Sequence, residues 1–181
     1  WLQALSESQA TISVAPNFAF GLTANKTRDC DLDGLDLANW KVALCGAEPV
    51  HPRTLEEFSS RFSAVGFDPT AITPVYGLAE ATLAVTFSEP NQKPQWTHFD
   101  ADRLEQSGIA EITADGRQIP SLGKPLAGCS IEVRNGDGAK LSDARVGRVH
   151  VKSPGVMQCY LNRPDATAET LDEDGWLDTG D

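Results

Sequence analysis

Ala71-Ile72-Thr73-Pro74-Val75-Tyr76-Gly77-Leu78-Ala79-Glu80 holds the fold in brief. Ala71 to Val75 is an apolar run of strand length that leads straight into Tyr76-Gly77, and Leu78 to Val85 then reads as helical. Working upstream, Thr54 with Glu57 three residues later is a capping-box pattern, with Leu55, Phe58 and Phe62 following at helical spacing and Gly66 as a stop. Before it stands a second apolar run, Trp40 to Leu44, closed by Cys45-Gly46. Ile12-Ser13-Val14 reads as a third strand ending at Pro16, and Leu2 and Leu5 are one helical turn apart. Alternating strand and helix implies an α/β fold with a mainly parallel sheet. Ligands of such sheets bind outside the carboxyl ends of the strands, where Gly46-Ala47-Glu48 and Tyr76-Gly77 both fall.

Downstream the composition shifts. Pro90, Pro94 and Pro120 bracket a polar stretch that includes a short helical segment, Asp102 to Gln106. After Ser121 the pattern is β-like: Ile131 and Val133 alternate with polar residues, Asn135-Gly136-Asp137-Gly138 and Asp174-Gly175 signal turns, and Val149 and Val151 alternate again. We therefore expect an α/β subdomain over 1–120 and a smaller β-rich subdomain over 121–181.

The 26 acidic residues exceed the 15 basic ones, giving a net charge of −11, and no basic stripe offsets this. That field disfavours a nucleic-acid polymer as partner, while a single nucleotide with Mg²⁺ remains compatible with it. No apolar run approaches the roughly 18 residues a membrane helix needs. Trp1 to Gln9 has no secretion-signal pattern, but Trp1 is not an initiator Met and targeting stays open; the four widely spaced cysteines lack metal-ligand spacing and fit a reducing cytosol, so a cytoplasmic protein is the expectation.

Tyr76 offers an aromatic face to a purine, and Gly77 lets backbone approach without a Cβ; the plain alternative is an ordinary turn. Glu80 is an oxygen ligand of the kind Mg²⁺ accepts, or else a first-turn acid complementing a helix dipole. Asp181 can accept hydrogen bonds from two ribose hydroxyls, or simply close a polar turn. His51, His98 and His150 have no neighbouring acid or nucleophile at useful spacing and read as structural.

Six segments, in order, resemble the adenylate-forming superfamily of acyl-CoA synthetases, luciferases and peptide adenylation domains, and most of all its fatty acyl-AMP ligases. They are Ala15 to Phe20, Gly46 to Val50, Tyr76 to Val85, Gly147-Arg148-Val149, Tyr160 with Asn162 to Thr167, and Trp176 to Asp181. The resemblance implies ATP and Mg²⁺ as cofactors, a fatty acid as substrate, and an acyl carrier protein or coenzyme A as acceptor. By position it puts Tyr76 and Gly77 against adenine, the Gly46-Ala47-Glu48 loop beside the base, Glu80 on Mg²⁺ and Asp181 on ribose. It puts Asn17, Phe18 and Phe20 along an acyl tunnel, although Phe18 and Phe20 also read as core. It implies a subgroup insertion within 89–120, where Asp100-Ala101-Asp102-Arg103-Leu104 stands.

Two positions depart from the wider pattern. Ala79 replaces a threonine whose hydroxyl can bind the α-phosphate, a form shared with acyl-AMP ligases, and Pro74 replaces an asparagine. The phosphate-cradling Gly/Ser/Thr loop and the lysine of a C-terminal domain are absent from this sequence. The chain thus reads as a piece of a longer ligase, inactive by itself. The alternatives are a fatty acyl-CoA synthetase and a noncatalytic nucleotide- or acyl-binding module.

Overall fold

The reason the first part of the chain forms a sheet is visible in its pairing. Ile12, Ser13, Val14 and Ala15 lie in parallel register with Val42, Ala43, Leu44 and Cys45, and the latter strand pairs in turn with Ile72 to Pro74. The structure, a computed structural model, describes residues 1–181. Its elements in chain order are α1 (Leu2–Ser8), β1 (Ile12–Ala15), α2 (Asn17–Lys26), β2 (Val42–Cys45), α3 (Pro52–Phe62), β3 (Ile72–Tyr76), β4 (Thr86–Phe87), β5 (Trp96–Phe99), α4 (Ala101–Ser107), β6 (Arg117–Pro120), β7 (Lys124–Pro125), β8 (Ser130–Arg134), β9 (Arg148–Lys152), α5 (Pro164–Thr170) and β10 (Leu177–Asp178). The α/β class with a parallel sheet is as the sequence implies.

The chain forms two compact units. The first comprises Trp1–Tyr76, Phe87–Trp96 and Ile119–Gly123; the second comprises Gly77–Thr86, Thr97–Gln118 and Lys124–Asp181. The backbone therefore passes from one unit to the other after Tyr76, Thr86, Trp96, Gln118 and Gly123.

In the first unit, α2 and α3 connect successive parallel strands and pack on each other. α3 buries Leu55, Phe58, Ser59 and Phe62, the i, i+3, i+4, i+7 stripe of an amphipathic helix. Phe20, Trp40, Phe58, Phe62 and Phe67 fill the core; Phe20 and Phe58 meet edge to face at 5.0 Å, as do Trp40 and Phe67 at 5.1 Å. Such pairs add about 0.5–1.5 kcal/mol each beyond the area they bury. α3 begins at Pro52, two residues before Thr54, with no side-chain cap. Proline suits the first helical position because its missing N–H has no partner there in any case, so the Thr54–Glu57 pattern lies inside the helix. α3 stops at Phe62, a short 3₁₀ turn continues to Val65, and Gly66 takes the left-handed conformation.

In the second unit, β8, β9 and β10 form an antiparallel sheet, with Ile131 and Leu177 both opposite Val151. Val151 and Leu177 are fully buried. α4 is capped by Asp100, whose Oδ1 accepts from the Arg103 N–H at 2.8 Å. After β8, Asn135 Oδ1 accepts from the Asp137 and Ala139 N–H groups, closing the expected turn.

The helix expected over Leu78–Val85 does not form. Only Ala79–Ala81 make a 3₁₀ turn, after which Thr82 (φ 53°) and Leu83 (φ 81°) both adopt left-handed backbone. Two such residues in succession end any right-handed helix. No helix of the protein is long and apolar enough to cross a membrane.

Candidate functional site

Two groups of candidate residues are built by the two units. In the first unit the loop after β2 holds Gly46, Ala47 and Glu48. Gly46 is buried so closely that a Cβ would stand 2.8 Å from the Val75 carbonyl oxygen, so the carboxyl ends of β2 and β3 lie side by side. Ala47 takes φ 68°, a left-handed conformation costing an alanine about 1–2 kcal/mol. The Glu48 carboxylate accepts from the Phe18 N–H. α2 begins after Pro16, which has no side chain able to cap it, and Glu48 supplies the missing acceptor and complements the helix dipole. Asn17 returns the link: its buried Oδ1 accepts from the His51 N–H at 3.0 Å, at the start of α3. The loop and the α2 N-terminus thus hold each other in place.

This arrangement sorts the expected acyl-side residues. Phe20 is fully buried among Trp40 and Phe58, where its core reading holds. Phe18, on the same helix, is 61% exposed, and Asn17 is buried and engaged with His51. Tyr76, the last residue of β3, is half-buried. Cys45 ends β2; burial, and after it the negative charge of Glu48, pushes its thiol up to about 12.

In the second unit, Gly77 to Leu83 fold into a tight loop. The Ala81 and Leu83 N–H groups both donate to the Leu78 carbonyl, at 3.1 and 3.0 Å. Gly77 is required by the loop itself, because a Cβ there would lie 1.5 Å from the Leu83 carbonyl oxygen. Glu80 stands in the 3₁₀ turn and not on a helix, which removes the helix-dipole explanation for an acid at this position. Its side chain is half-buried and Oε1 accepts from the Tyr160 hydroxyl at 2.8 Å. Its backbone carbonyl accepts from the Met157 N–H at 2.7 Å. The bond to Glu80, and after it burial, raises the Tyr160 hydroxyl above its ordinary value.

Asp181 follows β10, where the Val149 N–H donates to the Asp181 carbonyl at 2.9 Å and the Thr179 N–H donates to Val149. The turn is set by Asp178: Oδ1 accepts from the Gly180 N–H at 3.0 Å and Oδ2 pairs with Arg148 at 2.9 Å. Burial works to raise the Asp178 carboxyl, but the Gly180 N–H and Arg148 outweigh it and hold it below the ordinary value. Arg134 fixes the preceding turn, pairing with Asp172 at 3.0 Å and Glu132 at 3.1 Å and lying 4.9 Å over the Trp176 ring.

No cluster of three or more His, Cys, Asp or Glu side chains forms a metal cage. Mg²⁺ does not ask for one: it is commonly held by one or two carboxylates, several waters and the substrate's phosphates. A half-buried carboxylate fixed at one oxygen fits that requirement. Tyr160 and Met157 carry no role in the sequence reading, because no periodicity links positions about 80 residues apart.

The AMP-binding enzyme family model matches residues 1–161. The chain belongs to the AMP-binding enzyme family. It is 39% identical to the long-chain-fatty-acid–AMP ligase FadD23 of Mycobacterium tuberculosis, an alignment covering 94% of this chain and 30% of that protein. It superposes with a TM-score of 0.94 on a structure from work on fatty acyl-adenylate ligases of E. coli and L. pneumophila, at 36% identity, covering 100% of this chain and 34% of the other. A fatty acyl-adenylate ligase from L. pneumophila in complex with acyl adenylate and pyrophosphate gives the same TM-score at 32% identity, covering 100% of this chain and 33% of that one. The chain spans about a third of the length of the curated relatives it matches.

Proposed function

We propose that the enzyme containing this chain activates a fatty acid with ATP, forming an acyl-adenylate for transfer to an acyl carrier protein. The observation that carries the reading is the match over the whole chain to an acyl-adenylate ligase in complex with its acyl adenylate. A carboxylate oxygen of the acid attacks the α-phosphorus, the new P–O bond forms, and the bond to pyrophosphate breaks. A magnesium ion, when bound, neutralises charge on the phosphates. Glu80 is the residue proposed to hold it, in keeping with its fixed carboxylate. Tyr76 and Gly77 are proposed for adenine, Gly46, Ala47 and Glu48 for the loop beside the base, and Asp181 for the ribose hydroxyls. Asn17 and Phe18 remain proposed for the acyl side, and the segment 89–120 for a subgroup insertion. Ala79 has no hydroxyl to offer the α-phosphate, so other donors serve it. Residues 1–181 are proposed to need the rest of the enzyme for turnover, in a cytoplasmic setting.

The test is the full-length enzyme with ATP, Mg²⁺, dodecanoic acid and coenzyme A, with products read by mass spectrometry. Acyl-AMP that accumulates and ignores the thiol supports the reading. Acyl-CoA moves the acceptor to coenzyme A, and no product across a range of acid lengths favours a noncatalytic binding module. Glu80→Ala is expected to lower adenylation at least about 100-fold, the size of effect seen when one stabilising group is lost from a charged transition state. Wild-type turnover by that variant removes the magnesium assignment.

A further inference from the structure

Glu80 is held by a segment far from it in the chain, and the hold is made at several atoms. The Tyr160 hydroxyl donates to Glu80 Oε1 at 2.8 Å, and the Met157 N–H donates to the Glu80 carbonyl at 2.7 Å. Thr82 Oγ1 donates to the Gly155 carbonyl, and a Cβ on Gly155 would come within 3.1 Å of the Ala81 carbonyl oxygen. Tyr160 is itself anchored: its N–H donates to Thr167 Oγ1 at 2.9 Å, and that hydroxyl donates to the Arg163 carbonyl at the start of α5. The stretch from 155 to 160 therefore lies along the Gly77–Leu83 loop and fixes both the backbone and the carboxylate of residue 80.

We infer that Tyr160 is a positioning residue for the metal ligand, orienting the Glu80 carboxylate by taking Oε1 and leaving Oε2 to face the cation. The inference rests on the magnesium role proposed above for Glu80. A carboxylate on a rotatable side chain at a half-exposed site samples several orientations, and the phenol selects one of them before metal arrives. Outer hydrogen-bond partners of metal ligands act in this way, and losing one commonly costs 10- to 100-fold in metal affinity or activity. The bond from Met157 has a complementary purpose. It keeps the 3₁₀ turn in register with Tyr160, so loss of the hydroxyl alone leaves the loop in place.

The experiment uses the full-length enzyme with Mn²⁺ and a non-hydrolysable ATP analogue, following bound Mn²⁺ by loss of the free-ion EPR signal. Tyr160→Phe is expected to weaken Mn²⁺ retention about tenfold, with the thermal midpoint and metal-free nucleotide binding close to wild type. Glu80→Ala is expected to weaken retention further, and Tyr160→Phe to add nothing in that background. Wild-type retention by Tyr160→Phe, alongside a weakened Glu80→Ala, overturns this inference and leaves the magnesium assignment intact. So does a Tyr160→Phe loss that persists undiminished on the Glu80→Ala background. Wild-type retention by Glu80→Ala overturns the assignment itself, and this inference with it.

Discussion

Gly77→Ala isolates the requirement that a loop turning back on itself places on a single atom. The added methyl group would stand 1.5 Å from the Leu83 carbonyl oxygen and 2.7 Å from its carbon, where ordinary contact starts at 3.4 Å. Leu83 is exposed, but its backbone is tied into the loop. Its N–H donates to the Leu78 carbonyl at 3.0 Å, and its own φ of 81° is already unfavourable for leucine. Overpacking costs about 1–3 kcal/mol and the lost hydrogen bond about 0.5–1.5 kcal/mol, so we expect a destabilisation of about 3 kcal/mol. Spread over the 181 residues of this chain that is a fall of about 6–12 °C in thermal midpoint, and a smaller one in a longer protein. Gly136→Ala is the matched control, because a Cβ there meets nothing within 4 Å and its φ is not in the left-handed region. Alanine at such a position is neutral or stabilises by up to about 1 kcal/mol. Both variants are compared with wild type by thermal melting of the full-length enzyme. Indistinguishable midpoints for the three proteins would refute the steric argument and with it the account of why glycine follows Tyr76.

Two further outcomes rest on local geometry. The Cys45 thiol has a folded value of about 12 against an ordinary 9.0, so its contribution to stability is complete below about pH 9 and is lost as pH climbs from there toward about 12. Cys45→Ala should flatten that part of the stability profile, measured as urea midpoints across the range, and parallel profiles would count against it. Arg134→Ala should lower the midpoint by the equivalent of about 1–2 kcal/mol through the lost ion pairs and ring contact. Arg134→Lys should recover little, because lysine keeps the charge without the planar fork; full recovery would show that charge alone matters.

The strands were legible because each is a short apolar run ending in a turn residue: Ile12 to Val14, Trp40 to Leu44 and Ala71 to Val75 all lie on or beside strands of the first unit. Local capping chemistry was less dependable. Thr54 and Glu57 carry the right residue types at the right spacing, yet Pro52 starts α3 and the cap sites go unused. Leu78 to Val85 has helical spacing too, but the demand that the loop close over Gly77 overrides it and puts Thr82 and Leu83 in left-handed backbone. Glu80 could be given a role from its motif, whereas Tyr160, though it stands in one of the resembling segments, could not be paired with it. Tyr160 becomes meaningful only when the fold brings together positions about 80 apart, and no local pattern encodes that pairing. Glu48 shows the same limit: its carboxylate caps α2, a helix that starts 31 residues earlier.

The five passages of the backbone between the two units bear on how such an enzyme can change over evolutionary time. Neither unit is a cassette. A single recombination event between two related genes, wherever it falls between Tyr76 and Lys124, leaves at least one unit stitched from both parents. One seam runs between Tyr76 and Gly77, so even adjacent residues of one motif answer to different packing environments. Chimaeras meant to exchange substrate preference therefore need to carry the whole segment across, or keep to point substitutions within one parent's backbone.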